Sequence, residues 1–269
     1  GQGWYTRDVA ETMEILRPII PELSEPNHRT VFDTLLGIHS NGSKPSRNMN
    51  NAVRSYKRFL ETGEFPDTDV ETGKVFSGPR GSTIRTQIAV MNHLMRVHDG
   101  DIAKVREWLE TLHDPADATE MRNAAGVHDP TKSIEFDPKA ETQVLGSRIF
   151  GPKLGNFAAN IRGAGDPTID AWMTRAMNRH FGRMTTSSGK LINKPQTPAQ
   201  RTAMQDVIRQ AAARLKMDPF EVQAVAWFFE QGLYSDLGVK SNAETLVDSA
   251  KKVSELYGIE PPENAGRSF

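Results

Sequence analysis

The chain is predicted to be all-α. Apolar residues recur at helical spacing along almost its whole length, and alternating strand patterns are nearly absent. Gly- and Pro-rich stretches separate the periodic runs. Val9, Met13, Leu16, Ile19 and Ile20 mark a first helix, Val31 to Ile38 a second, and Met49 to Leu60 a third. Phe65 to Ser82 reads as a loop. Ile84 to Met95 and Ile102 to Leu109 follow as helices. Asp114 to Pro138 is polar, with a short helical patch at Met121. Thr142 to Phe150 and Leu154 to Ile161 read as two short helices joined by a Gly151-Pro152-Lys153 turn. Ile169, Trp172, Met173, Ala176 and Met177 trace an amphipathic helix, with Trp172 and Met173 expected in the core. Thr185 to Pro198 is a loop. Val207 to Leu215, Val222 to Leu233 and Leu246 to Tyr257 give three closing helices.

The organisation expected is an N-terminal helix (1–28) packed on a core (29–194), with a C-terminal helical extension (195–269). Composition is ordinary for a soluble protein: 37% hydrophobic and 25% charged residues. There are no cysteines. Disulfides, thiolate metal sites, iron–sulfur clusters and cysteine nucleophiles are thereby excluded, and a reducing cytoplasm is the expected setting. No apolar run reaches the ~18 residues that would span a membrane, so no membrane partner is expected. The N-terminus lacks a basic-then-apolar signal pattern. It also lacks a Met, as expected of a piece of a longer product.

Net charge is −1, yet it is unevenly spread. Lys139 to Lys194 holds nine Lys/Arg against three Asp/Glu, and Thr34 to Leu60 holds five Lys/Arg and no acid. Such segregation suits a polyanion binder of neutral total. His93, His98, His113 and His128 show no metal-ligand spacing and read as surface or loop residues. Asp67, Asp69 and Glu71 lack the glycine and terminal Glu of a calcium loop. Gly163-Ala164-Gly165 follows no strand, so nucleotide binding is not expected there.

The stretch from Arg148 to Asn160 and on to Arg179 carries the chemistry. A Gly-containing turn leads into a short helix, whose first N–H groups suit a phosphate oxygen. The positive helix end disfavours an ammonium on Lys153, and a free amine forms Schiff bases. Asp170 opens the next helix. As a carboxylate facing Lys153 it would stabilise the cationic sugar formed when a glycosidic bond breaks.

This stretch resembles the helix-hairpin-helix and catalytic-aspartate region of the DNA-glycosylase superfamily, typified by bacterial endonuclease III. Lys153, Asn156, Asn160, Asp170, Arg175, Asn178 and Arg179 stand in the order that family shows. Phe32 to Asn41 is similar to its first core helices, in the segment that supplies a residue filling the gap left by a flipped base; His39, Ser40 or Asn41 falls there. The resemblance covers Arg29 to Arg183. It departs in the hairpin, where Ile149 replaces the first glycine and Gly151 alone remains.

The resemblance implies a helix-hairpin-helix glycosylase bundle with additional C-terminal helices. It implies removal of a modified or damaged base from duplex DNA, with Lys153 and Asp170 catalytic and AP-lyase activity through Lys153. Arg148, Gly151, Asn156, Arg175, Arg179, His39 and Asn41 would contact DNA, and no cofactor or metal is expected. Gln196 to Gly238 is similar to segments of phage and mobile-element proteins, which suits foreign or modified DNA; no chemistry is assigned to it. A base-modifying transferase on the same fold is the alternative reaction. A non-enzymatic DNA- or partner-binding protein, docking through the C-terminal helices, is the alternative class.

Overall fold

A computed structural model of the chain describes residues 3–41, 44–126, 134–238 and 244–261; His128 lies outside them. Among the described residues there are eleven α-helices and a single two-stranded ladder. The fold is mostly helical, as the periodicity predicts. Among the described residues no helix is long and apolar enough to cross a membrane.

A one-turn π-helix, Trp4–Asp8, leads into α1 (Val9–Leu16). Helices α2 (Pro26–His39) and α3 (Pro45–Thr62) both begin on proline, whose fixed φ and missing N–H suit a first turn. The same device starts α4 (Gly78–Val97) inside the stretch predicted to be loop, because Pro79 sits in its first turn. Helix α5 (Ile102–Glu110) is capped by Asp101, which accepts from the Ala103 and Lys104 amides. Helix α6 (Pro115–Ala124) covers the expected patch at Met121.

The region from 142 to 150 is not one helix. Val144 and Leu145 form β2, which pairs antiparallel with β1 (Leu112–His113), and Gly146–Phe150 is a 3-10 turn. Helix α7 (Leu154–Ile161) then packs along α2, and α8 (Ala171–His180) against α10 (Pro219–Asp236). Helix α9 (Pro198–Leu215) lies beside α10. Helix α11 (Leu246–Leu256), started by a Thr245/Asp248 capping box, rests on α1 and α3. The main core draws on residues from Trp4 to Val253. The N- and C-terminal segments are therefore part of one packed interior. A smaller cluster of Ile169, Met173, Met204 and Ile208 joins α8 to α9.

Two glycines set how closely the site-bearing elements approach. A Cβ on Gly155 would sit 2.1 Å from the Ser147 carbonyl oxygen, so only glycine lets α7 cross the 3-10 turn. A Cβ on Gly37 would lie 3.0 Å from Ala158 Cβ and 3.1 Å from the Leu154 oxygen, which brings α2 tight against α7. In contrast, Gly232 in α10 has open space around it. We therefore expect Gly155→Ala to destabilise the protein by about 3 kcal/mol through backbone overlap. Gly232→Ala should stabilise it by about 0.5–1 kcal/mol through helix propensity. Urea denaturation of both variants checks the contrast.

Candidate active site

Lys153 stands at the residue before α7, where backbone geometry is already helical. Asp170 is the N-cap of α8; its Oδ1 accepts the Met173 amide at 2.9 Å. Its Oδ2 accepts the Trp227 indole N–H at 2.9 Å. Two N–H donors thus fix the carboxylate in one orientation.

The loop between the two elements is tied by Asn160, which is fully buried. Its Nδ2 donates to the carbonyls of Ala164 and Asp166, both at 2.9 Å. Its Oδ1 accepts from the amide of Thr168 at 3.1 Å and from its hydroxyl at 2.7 Å. Every polar valence of that amide is used.

Lys153 and Asp170 line one cavity of about 300 Å³. Among the described residues Lys153 has no ion-pair partner. The cavity wall is aromatic: Trp4, Phe157, Trp227 and Phe228 line it, with Trp172 beside Asp170. Trp4 lies 6.1 Å from Phe157 and 6.3 Å from Phe228, and Trp227 meets Phe228 edge-on at 4.9 Å. These are tilted and edge-to-face contacts between the rings themselves, which join them into one aromatic surface.

The N-terminal wall is held from the other end of the chain. The buried Glu221 carboxylate accepts the Trp4 and Tyr5 amides at 3.1 and 3.0 Å. Tyr5 Oη donates to Gln223 Oε1 at 3.0 Å. Burial, reinforced by the negative charges of Asp170 and Glu221, pushes the Tyr5 hydroxyl well above its ordinary value. It stays a neutral donor at any working pH. Among the described residues no group of three His, Cys, Asp or Glu side chains is placed to hold a metal ion.

No family model, curated protein or solved structure matches this chain. The site is therefore read from its own geometry.

Several residues expected at a DNA surface lie elsewhere. Arg148 is 3% exposed; it donates to Glu141 Oε1 and to the Glu135 carbonyl, both at 2.7 Å, with Asp166 at 3.7 Å. Its charge is matched inside the protein, so it is not a phosphate contact. Asn156 is 1% exposed. With Arg148 it lines a second cavity, in which Lys153 and Asp170 take no part. Arg179 donates to the fully buried Glu230 at 2.7 Å. It balances an interior carboxylate while its own side chain stays 36% exposed. Arg175 is half-buried, stacked at 4.9 Å on Trp172 and bonded to Asn193. Gly151, at φ +91°, shapes the turn before Lys153. Asn41 lies half-buried just past the end of α2, next to Ser40, which lines the cavity. Of the residue pair expected in the core, Met173 is fully buried, whereas Trp172 is half-buried on the cavity wall.

His39 is likewise no wedge. It is wholly buried, with Nε2 at 3.1 Å from Ser55 Oγ. Burial pushes its imidazole down to about 4 against a weaker upward pull from Asp69. The unfolded chain, with its ordinary value of 6.5, binds the proton better. His39 therefore contributes stability above that value, and the contribution is lost as pH falls towards about 4. Asp33 acts in the opposite sense. Burial, partly offset by Arg29 and Arg162, lifts it to about 6, so its fold contribution is greatest in acid and is lost as pH rises through that value. The His39 effect is isolated by comparison with His39→Gln. The stability advantage of wild type over the variant should fall by about 3 kcal/mol as pH drops through this range, measured by denaturant titration at each pH.

Proposed function

We propose that this chain is a DNA N-glycosylase with lyase activity through Lys153. One observation carries the reading: the side chains of Lys153 and Asp170, from successive helices, line a single aromatic cavity. A nucleotide swung out of the duplex places its base among the rings and its sugar between amine and carboxylate. Extrusion costs a few kcal/mol, least where the base is damaged or modified.

The chemistry follows from the two groups. Lys153 Nζ attacks the sugar C1′ through its lone pair. The C1′–N bond to the base breaks, its electron pair leaves with the base, and a proton is taken up there. The nitrogen sheds one proton; its lone pair then forms the C1′=N bond as the C1′–O4′ bond breaks, and O4′ keeps that electron pair and takes up a proton, leaving a protonated imine. Positive charge develops on the sugar in the transition state, where the Asp170 carboxylate opposes it. The Trp227 indole keeps that carboxylate aimed, so it needs no reorganisation at the moment of reaction.

Borohydride trapping tests this directly, on duplexes carrying abasic sites and a panel of modified bases. Wild type should give a covalent protein–DNA adduct and Lys153→Ala none. Asp170→Asn retains a good helix cap but loses the acceptor for Trp227, so it should stay folded with a melting temperature lowered by a few degrees while base release falls at least about 10²-fold. Absence of both adduct and released base across the panel, or an equal adduct from Lys153→Ala, contradicts the proposal.

A further inference from the structure

The cavity that Lys153 and Asp170 line is also lined by three carboxamides: Asn48 from α3, and Gln223 and Gln231 from α10. All three are more than nine-tenths buried, at 7%, 5% and 1% exposure. Asn48 Oδ1 and Gln231 Oε1 have no hydrogen-bond partner, nor has the indole nitrogen of Trp4 on the same wall. Buried polar atoms of this kind cost free energy unless something fills them. Gln223 is oriented by Tyr5, whose hydroxyl donates to its Oε1; its amide nitrogen is left as a donor.

A carboxamide presents one donor face and one acceptor face in a single plane. That matches the edge of a neutral heterocycle in which N–H donors alternate with carbonyl or ring-nitrogen acceptors. It offers nothing to an aliphatic or purely apolar ring. A flat cation without N–H or carbonyl groups cannot satisfy these amide edges, although the aromatic walls alone would tolerate one.

We infer that α10 is the specificity element of the cavity, with Gln223 and Gln231, joined by Asn48, reading the hydrogen-bonding edge of a neutral nucleobase held among the aromatic rings. Identifying the ligand as a base rests on the glycosylase reading. The recognition itself is independent of whether Lys153 and Asp170 perform chemistry. Lactam edges and amidine edges share the required donor–acceptor pairing, and the experiment separates them.

The test is equilibrium binding to the whole chain, followed by quenching of tryptophan emission, since Trp4 and Trp227 line the cavity. The probes are thymine for a lactam edge, adenine for an amidine edge, toluene as a ring without hydrogen-bonding groups, and N-methylpyridinium as a flat cation. At least one of the two bases should bind saturably, and toluene and the cation at least about tenfold more weakly. Gln231→Met keeps volume and removes both polar faces; Gln223→Glu keeps the acceptor for Tyr5 and removes the donor. Each should weaken base binding at least about tenfold, with toluene unaffected and thermal unfolding cooperative. Equal binding of toluene, preference for the cation, unchanged affinity in both variants, or no binding of either base overturns the inference. Base binding of the expected pattern with no base release from DNA would sink the enzymatic reading and leave this one standing.

Discussion

The four hydrogen bonds of Asn160 are the constraint on which the site rests. They tie the end of α7 to the residues leading into α8. Lys153 begins the first of these helices and Asp170 caps the second, so this tie sets where the amine and the carboxylate stand relative to each other. A buried amide with all its valences used tolerates no shift without leaving a polar atom unpaired. The close crossing at Gly155 fixes the other end of α7. The remaining tie is Trp227, which reaches across from α10 to hold Asp170. Positioning of the pair is thus a property of helix ends and loop bonds, and does not require the two groups to touch.

Charge behaves differently from what segment counts suggest. The stretch from Lys139 to Lys194 is rich in Lys and Arg, but part of that charge is balanced inside the fold, by acids of the same stretch and by acids distant in sequence. Arg148 meets Glu141 and Asp166, Arg162 meets Glu110, and Arg179 meets Glu230. Removing one partner from such buried pairs would leave an uncompensated charge. These arginines therefore report on how the interior is built, and a linear tally of charge is a weak guide to a polyanion surface.

Most helices are legible in the sequence because apolar spacing reports directly on burial. Even the helix at Met121 and the core position of Met173 follow from it. The segment from 142 to 150 is misread because a two-residue ladder and a 3-10 turn leave no distinct period in so short a stretch. The start of α4 is missed because glycine and proline signal loops as strongly as they signal a helix N-terminus. At the site, Lys153 and Asp170 are legible because each sits at a helix boundary within one local motif. Their partners are not: Trp4, Tyr5, Gln223, Trp227 and Gln231 come from the two ends of the chain and meet only on folding. His39 and Asn156 are misplaced for a related reason. A polar residue in a motif gives no sign of facing inward until the helices that cover it are known.

The central claim is that Lys153 and Asp170 act together on a sugar carbon at one cavity. Peptide mapping of a borohydride-reduced protein–DNA adduct tests it most directly. The account predicts the reduced sugar on Lys153 Nζ. An adduct on another lysine or on the N-terminal amine, with Lys153 unmodified, would contradict it.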